Sequence, residues 1–279
     1  TQVSYTITIS EVNDEPTLAA TGATGTFTED GSSLSLYSSA AAADSDTQAT
    51  QTFTSLVLTV TNVVDTTEYL VVNSGDCDLT DTNSETTTYN GQNLVCAVSV
   101  TSNTATVTLT PAAGLTNALM EALIDGIAYK NVDQSPTAGN RVVTITTMTD
   151  NGGTTGAGDD SVTVAIAATV TVAAAPDDPV IANSDNTGAV TEAVADTTDT
   201  AVDTLVVTDA DGETVTWACT GCNDAGTTQT LTGTYGSWVL TEATGAWAYT
   251  LNNADTDTNL SLIHILTLPT TRCVLFGGG

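Results

Sequence analysis

Along most of this chain a β-branched or other apolar residue alternates with a hydroxylic or small one. The pattern is plain in Tyr5–Ile9 (YTITI), Leu56–Val63 (LVLTVTNV), Ala97–Val100 (AVSV) and Ala105–Thr110 (ATVTLT). It returns in Val142–Met148 (VVTITTM) and Ser161–Val172 (SVTVAIAATVTV). A period of two sends successive side chains to opposite faces, so each run predicts a half-buried antiparallel strand with Thr on the wet side. β-Branched residues suit that pleated surface. Asn-Gly pairs at Asn90 and Asn151 punctuate the runs as turn signals. Sheets with one apolar face close most simply as a β-sandwich.

One segment departs from this rhythm. In Leu115–Gly126 (LTNALMEALIDG), Leu115, Leu119 and Leu123 recur every four residues, which predicts a short helix ending at Gly126. Its leucine stripe is expected to pack over an edge or end of a sandwich.

The strand pattern itself repeats. TITISEVNDEP (Thr6–Pro16) returns as TVTVAAAPDDP (Thr169–Pro179), and GTFTE (Gly25–Glu29) as GAVTE (Gly188–Glu192), each at an offset of 163. A strand, an acidic elbow closed by proline and a Thr-Glu signature recur in register, the mark of tandem modules. The expected organisation is therefore the end of a preceding module and a linker over 1–16, a first full sandwich over 17–175, and a second over 176–260.

Charge narrows the partners. The 279-residue chain carries 33 Asp plus Glu against three Lys plus Arg and one His, a formal charge of −30, with 41% hydrophobic residues. That hydrophobic share supports a packed core. Charge of this sign repels nucleic acid and anionic lipid and attracts hard cations. No apolar run reaches the roughly 18 residues that span a bilayer, so membrane insertion is not expected. The last residues abandon the acidic, Thr-rich composition. Within them LSLIHI (Leu260–Ile265) is similar to the translation of a transposon-end sequencing adapter, and 261–279 are expected to be a non-native tail. The tail holds the sole histidine, His264, and Cys273.

Four cysteines remain. Cys77 and Cys96 flank a polar loop, Thr80–Asn93, and a hairpin there would bring them within bridging distance. Cys219 and Cys222 form a CTGC unit readable as a zinc half-site, a redox pair or a local disulfide. Zinc lacks its further ligands and a thioredoxin-like role lacks its βαβ setting, so structural disulfides and an oxidising, exported location are expected.

The elbows EVNDEP and APDDP resemble the linkers of cadherin-like repeats in large bacterial surface proteins. So does the first full module, through TEDG (Thr28–Gly31), LIDGIAYKN (Leu123–Asn131), AGNRVVTITTMTDNGG (Ala138–Gly153) and GDDSV (Gly158–Val162). The second is similar to VCBS repeats in LVVTDADGETVTW (Leu205–Trp217) and GTYGSWVLTEATGAWAYTLNNAD (Gly233–Asp255). The resemblance implies tandem Ig/cadherin-like antiparallel β-sandwiches, all-β apart from one short helix. It implies a non-enzymatic structural or adhesive region of a large RTX-type adhesin or biofilm-matrix protein, calcium-stiffened at its module junctions. Such a protein sits outside the cell or on its surface, exported by a type I route or similar. Its partners would be a cell-surface or matrix glycan or protein and the neighbouring repeats of the same chain. The cadherin linker pattern is DxNDN; here the first elbow has Glu15 where its last Asn falls, and the second elbow has no Asn.

Calcium takes six to eight oxygens, supplied by carboxylates, Asn carbonyls and backbone carbonyls. At the first junction Glu11, Asn13, Asp14, Glu29, Asp44 and Asp46 are the candidate ligands; at the second, Asp177, Asp178, Glu192, Asp209 and Asp211. The opposing reading makes these acids solvated loop residues. Other chemistry has less support. Trp217, Trp238 and Trp247 would have to be exposed to form a glycan platform, and alternation points Trp247, Tyr249 and Leu251 to one inner face. Lys130, the sole lysine, reads as a strand residue before it reads as one end of an isopeptide staple. With His264 set aside no Ser-His or Cys-His pair exists for nucleophilic catalysis. A carbohydrate-binding module and an accessory region of a secreted hydrolase are the alternative readings.

Overall fold

The structure, a computed structural model, describes residues 4–7, 12–46, 51–80, 83–155, 158–182, 187–191 and 199–254. The expected tail over 261–279 lies outside them. The chain divides into two compact units, Thr1–Ala175 and Pro176–Gly279. It is all-β with a single helix among the described residues, and no helix is long and apolar enough to cross a membrane.

Unit 1 runs β1 (Thr17–Gly22), β2 (Thr24–Thr28), β3 (Leu34–Ser35), β4 (Tyr37–Ala43), β5 (Phe53–Thr61), β6 (Glu68–Val72) and β7 (Gly75–Asp78). It continues with β8 (Asn83–Tyr89), β9 (Gln92–Thr101), β10 (Thr104–Pro111), α1 (Asn117–Asp125), β11 (Ala128–Asn131), β12 (Gly139–Asp150) and β13 (Ser161–Ala173). One layer is a seven-stranded sheet in the order β2-β13-β12-β5-β10-β9-β8; the other comprises β3-β11-β6-β7 and the pair β1-β4. Alternation sets the register, so that Val98, Val107, Leu58 and Ile145 line up strand by strand on the inner face. There they meet Leu70, Val72 and Tyr129 of the other layer in one core.

The first strand serves both layers, which the alternation alone does not foretell. β1 pairs antiparallel with β4, then the chain crosses at Ala23 and β2 pairs parallel with β13. Ala23 donates its N–H to Leu36 O and accepts from Thr169 N–H, one bond to each layer. The crossing needs glycine beside it, since a Cβ on Gly22 would stand 1.9 Å from Ala167 O. The run at Tyr5–Ile9 does not form its expected strand over the described residues 4–7. Tyr5 and Ile7 are 88% and 86% exposed, as an amphipathic strand is when no neighbouring strand or layer covers its apolar side.

The helix is two residues shorter at its start than the leucine spacing suggests, because Leu115 bridges to Phe53 as a strand residue. Its buried face is Met120, Leu123 and Ile124, with Leu119 partly buried beside them. Gly126 closes it with φ −88°, a right-handed conformation that makes no use of glycine's left-handed freedom. On the helix, Glu121 and Asp125 lie one turn apart and accept the N–H groups of Ala42 and Ala40 at 3.1 and 2.9 Å. The helix thus covers the open edge of β4, supplying acceptors where no strand does.

The polar loop expected over Thr80–Asn93 contains a strand. β8 and β9 form a hairpin across Asn90 and Gly91, whose φ values of 47° and 78° are those of a type I′ turn. Cys96 therefore lies on β9 of the large sheet and Cys77 on β7 of the other layer. Their disulfide, with Cα atoms 6.1 Å apart, crosses the core instead of closing a hairpin.

One buried group is ionic. Arg141, on the inner face of β12, donates from Nε and Nη2 to Glu68 at 3.0 and 2.9 Å and from Nη2 to Asp65 at 3.0 Å. Tyr129 Oη donates to Glu68, and Asn131 Nδ2 to Asp65. All five side chains are buried, a network whose members satisfy one another. Lys130 is a surface residue, paired with Asp76 at 2.5 Å and lying over the Tyr69 ring.

Unit 2 comprises β14 (Val180–Ile181), β15 (Thr200–Thr204), β16 (Val207–Thr208), β17 (Asn223–Asp224), β18 (Thr228–Gly233), β19 (Gly236–Thr241) and β20 (Ala246–Leu251). Five strands form a sheet in the order β15-β20-β19-β18-β17, and β14 pairs with β16. Trp217, Leu240, Trp247, Tyr249 and Leu251 form its core, and Trp238, opposite Tyr249 in the register, packs against it. Trp217 and Trp247 are thus internal. Cys219 and Cys222 are disulfide-bonded around Gly221, in a turn leading to β17.

Candidate metal centre

Pairing β12 with β13 brings both ends of the segment that joins them, Asp150 and Asp159, to the N-terminal end of unit 1. Asp150 N–H donates to Asp160 O, closing the ladder. The first elbow enters this loop through Asn13. Its Nδ2 donates to Asp159 O at 2.6 Å and reaches the Asp150 carboxylate at 3.3 and 3.4 Å, while its backbone O accepts from Asp159 N–H. Two glycines make the space: a Cβ on Gly152 would lie 1.5 Å from Asn13 Oδ1, and one on Gly158 3.1 Å from Asn13 Cβ.

The acids that follow β4 arrive from the other side. Asp46 accepts the N–H of Asp14 at 3.2 and 3.3 Å, and Asp44 Oδ1 accepts the N–H of Asp46 at 3.0 Å. Gln51 Nε2 ties Asn13 Oδ1 to Asp46. Asp44 Oδ2 is buried and meets no hydrogen-bond donor. Its carboxylate stands beside that of Asp150, which is itself buried. Burial pushes the Asp150 carboxyl up from its ordinary value; the Gly152 N–H and the Asn13 amide pull it down, and Asp44 pushes it up again.

Of the first-junction candidates, then, Asn13, Asp14, Asp44 and Asp46 come together. Glu29 does not join them. It follows β2, which runs parallel to β13, and so lies at the far end of that strand, roughly 40 Å from Asp159 at 3.3 Å per residue. There its N–H donates to Ala173 O and its Oε2 accepts the N–H of Ala175, the first residue of the second elbow. The Thr-Glu signature near the start of the module in sequence marks its C-terminal end in space, because β2 leads away from the first elbow. Glu11 lies outside the described residues.

In unit 2 the same device recurs. Asp177 N–H donates to Asp211 Oδ2 at 2.7 Å, as Asp14 does to Asp46. Both elbows are held by the last acid of a D-x-D loop, Asp44–Asp46 and Asp209–Asp211. Asp209 is engaged by the N–H of Glu213 in the Asp-Gly turn, where Gly212 has φ 70°. Asp178 is exposed, and Glu192 lies outside the described residues.

Asp150 and Asp159 are absent from the sequence-derived ligand set. The signal was available: the DNGG and GDD motifs stand at the facing ends of two long alternating runs, and pairing those runs places the motifs side by side. Among the described residues, no group of three or more Asp, Glu, Cys or His side chains is arranged to hold a metal ion. The site offers two abutting carboxylates, Asp44 and Asp150, with the amide nitrogen of Asn13 turned to Asp150 and its amide oxygen held by Gln51. Oxygen donors of these kinds suit a hard cation such as calcium. The donorless Asp44 Oδ2 is an atom that a cation would satisfy. No protein-family model matches the chain, and no characterised protein matches it.

Proposed function

We propose that this chain is a stretch of tandem β-sandwich modules from a large exported bacterial surface or biofilm-matrix protein. It serves as a structural and adhesive spacer without catalytic activity, and its elbows are stiffened by calcium. The observation that carries this reading is the repeated capture of an elbow N–H, from Asp14 and again from Asp177, by the last acid of a D-x-D loop. A device built twice at equivalent places answers a need of the repeat. Supporting it are the two disulfides, which suit an oxidising compartment, and the net charge, which draws divalent cations.

Asp44 and Asp150 are the groups that would hold calcium at the first elbow, beside the Asp46 that holds Asp14. The ion supplies neutralisation of carboxylates that otherwise repel. With that repulsion removed, Asp46 keeps Asp14 and Asn13 stays seated in its glycine cradle, so the elbow leaves unit 1 at a fixed angle.

Thermal unfolding in millimolar calcium, in chelator and in magnesium tests this. Extracellular calcium modules bind at about 10⁻⁴ to 10⁻³ M, so 10 mM calcium should stabilise unit 1 by about 1.5 to 3 kcal/mol, a rise of several degrees in Tm. Magnesium should give less, and Asp44→Asn should remove the calcium increment. A melting curve indifferent to calcium, or equally responsive to magnesium, overturns the proposal.

A further inference from the structure

On a chain of charge −30, one large surface carries no charge at all. The outer face of the seven-stranded sheet can be read row by row across the strands. One row is Ser84, Ala97, Thr108, Val57, Thr147 and Thr163. The next is Ser99, Thr106, Thr59, Thr144 and Ala167. Beyond it Thr101, Thr104 and Thr61 continue towards Val142, Thr169 and Thr24. Every one of these positions is exposed or half-buried, and all are Thr, Ser, Val or Ala. The described acids of unit 1 lie in its loops, on α1 and in the other layer, or, like Glu85 opposite Cys96, at inward positions of the large sheet.

We propose that this face docks a second copy of the same chain, sheet against sheet. The argument for that occupant is electrostatic. Two chains of this charge repel wherever their acids face each other, and the neutral face is the broad surface through which they approach without opposing carboxylates. Its make-up suits self-contact, since Thr and Val methyl groups are buried on docking while Thr hydroxyls exchange water for each other or for backbone oxygens. Its size is sufficient: seven strands at about 4.8 Å and central strands about 25 Å long give on the order of 700 Å² per copy. A stable interface buries roughly 600 to 1,000 Å² per partner. The inference is independent of calcium binding at the elbows.

The test is sedimentation equilibrium of the full chain carrying Cys273→Ser, so that no intermolecular disulfide contributes, from micromolar to submillimolar concentration. A reversible dimer is expected, with a dissociation constant that falls at least several-fold between 50 mM and 500 mM NaCl, because salt screens the repulsion outside the contact. Thr59→Asp with Thr106→Asp, at the centre of the face, should raise that constant at least 100-fold; Thr106→Ser should leave it within a factor of three. Should the Asp pair unfold unit 1 by circular dichroism, Ser99→Asp with Ala167→Asp places charge in the same row at more exposed positions. Val202→Asp, on an exposed strand residue of unit 2, should change nothing. A monomer at every concentration and salt overturns the proposal, as does a dimer that survives charge on this face or is lost with Val202→Asp.

Discussion

Asp150 shows what a single carboxylate contributes when it is buried beside another. Its carboxyl is raised from the ordinary 3.8 first by burial and then by Asp44, against the pull of Gly152 and Asn13. A group that titrates higher in the folded state than in the unfolded chain favours folding fully below its unfolded value, and that contribution is lost as pH rises through the folded value. In chelator, Asp150 therefore stabilises unit 1 progressively as pH is lowered from neutral into the acid range. Asp150→Asn, which keeps the shape and removes the titration, should raise Tm at pH 7 in chelator and flatten the pH dependence between pH 7 and 4. Comparison of the two proteins by calorimetry across that range isolates this group from the other carboxylates. A variant with the parent's slope would contradict the assignment. Asp44 and Asp46 are legible in the sequence as a D-x-D beside an acidic elbow; Asp150 is not, since its proximity depends on how β12 and β13 pair. Arg141 is hidden for a related reason: in an alternating run it occupies an apolar position, and only the pairing with Glu68 and Asp65 shows what receives its charge.

At the scale of elements, the period-two pattern marks most of the strands and both faces of the large sheet. It is silent on two points. A strand that changes layers, as β1 does on becoming β2, alternates on both sides of the change. A polar strand such as β8 reads as loop because Glu85 and Thr87 occupy inward positions opposite Cys96 and Leu94. The second omission makes the Cys77–Cys96 bond look like a hairpin clip, whereas it joins the two layers. A cross-link between residues 19 apart restricts the unfolded chain by about 3 kcal/mol in the loop-entropy picture. Cys77→Ser with Cys96→Ser should lower the denaturant midpoint of unit 1 accordingly. Cys219→Ser with Cys222→Ser opens a loop with a separation of only 3 and should move unit 2 much less. Paired urea titrations by circular dichroism measure both, and equal shifts would count against the loop-length argument.

The whole molecule is two units of unequal resource. Unit 1 encloses one continuous core built from both of its layers, with the Arg141 network and an inter-layer disulfide within it. Unit 2 gathers a small core around Trp217, Leu240, Trp247, Tyr249 and Leu251. Stability from burial scales with the apolar area removed from water, and the fraction of surface a domain buries rises with its size. Unit 2 should therefore unfold first, in a transition of its own. The means of seeing it are built in: Trp217, Trp238 and Trp247 all lie in unit 2, and the chain has only three tryptophans. Tryptophan emission accordingly reports unit 2 alone, while the far-ultraviolet β signal reports both units. In a urea titration without calcium, the fluorescence midpoint should fall below the final circular-dichroism midpoint, and circular dichroism should show a second step after emission has reached its plateau. Addition of calcium should move the step governed by Asp44 and Asp150 to higher urea. A single transition with coincident midpoints would mean that the two units fold as one, with their stabilities coupled across the second elbow.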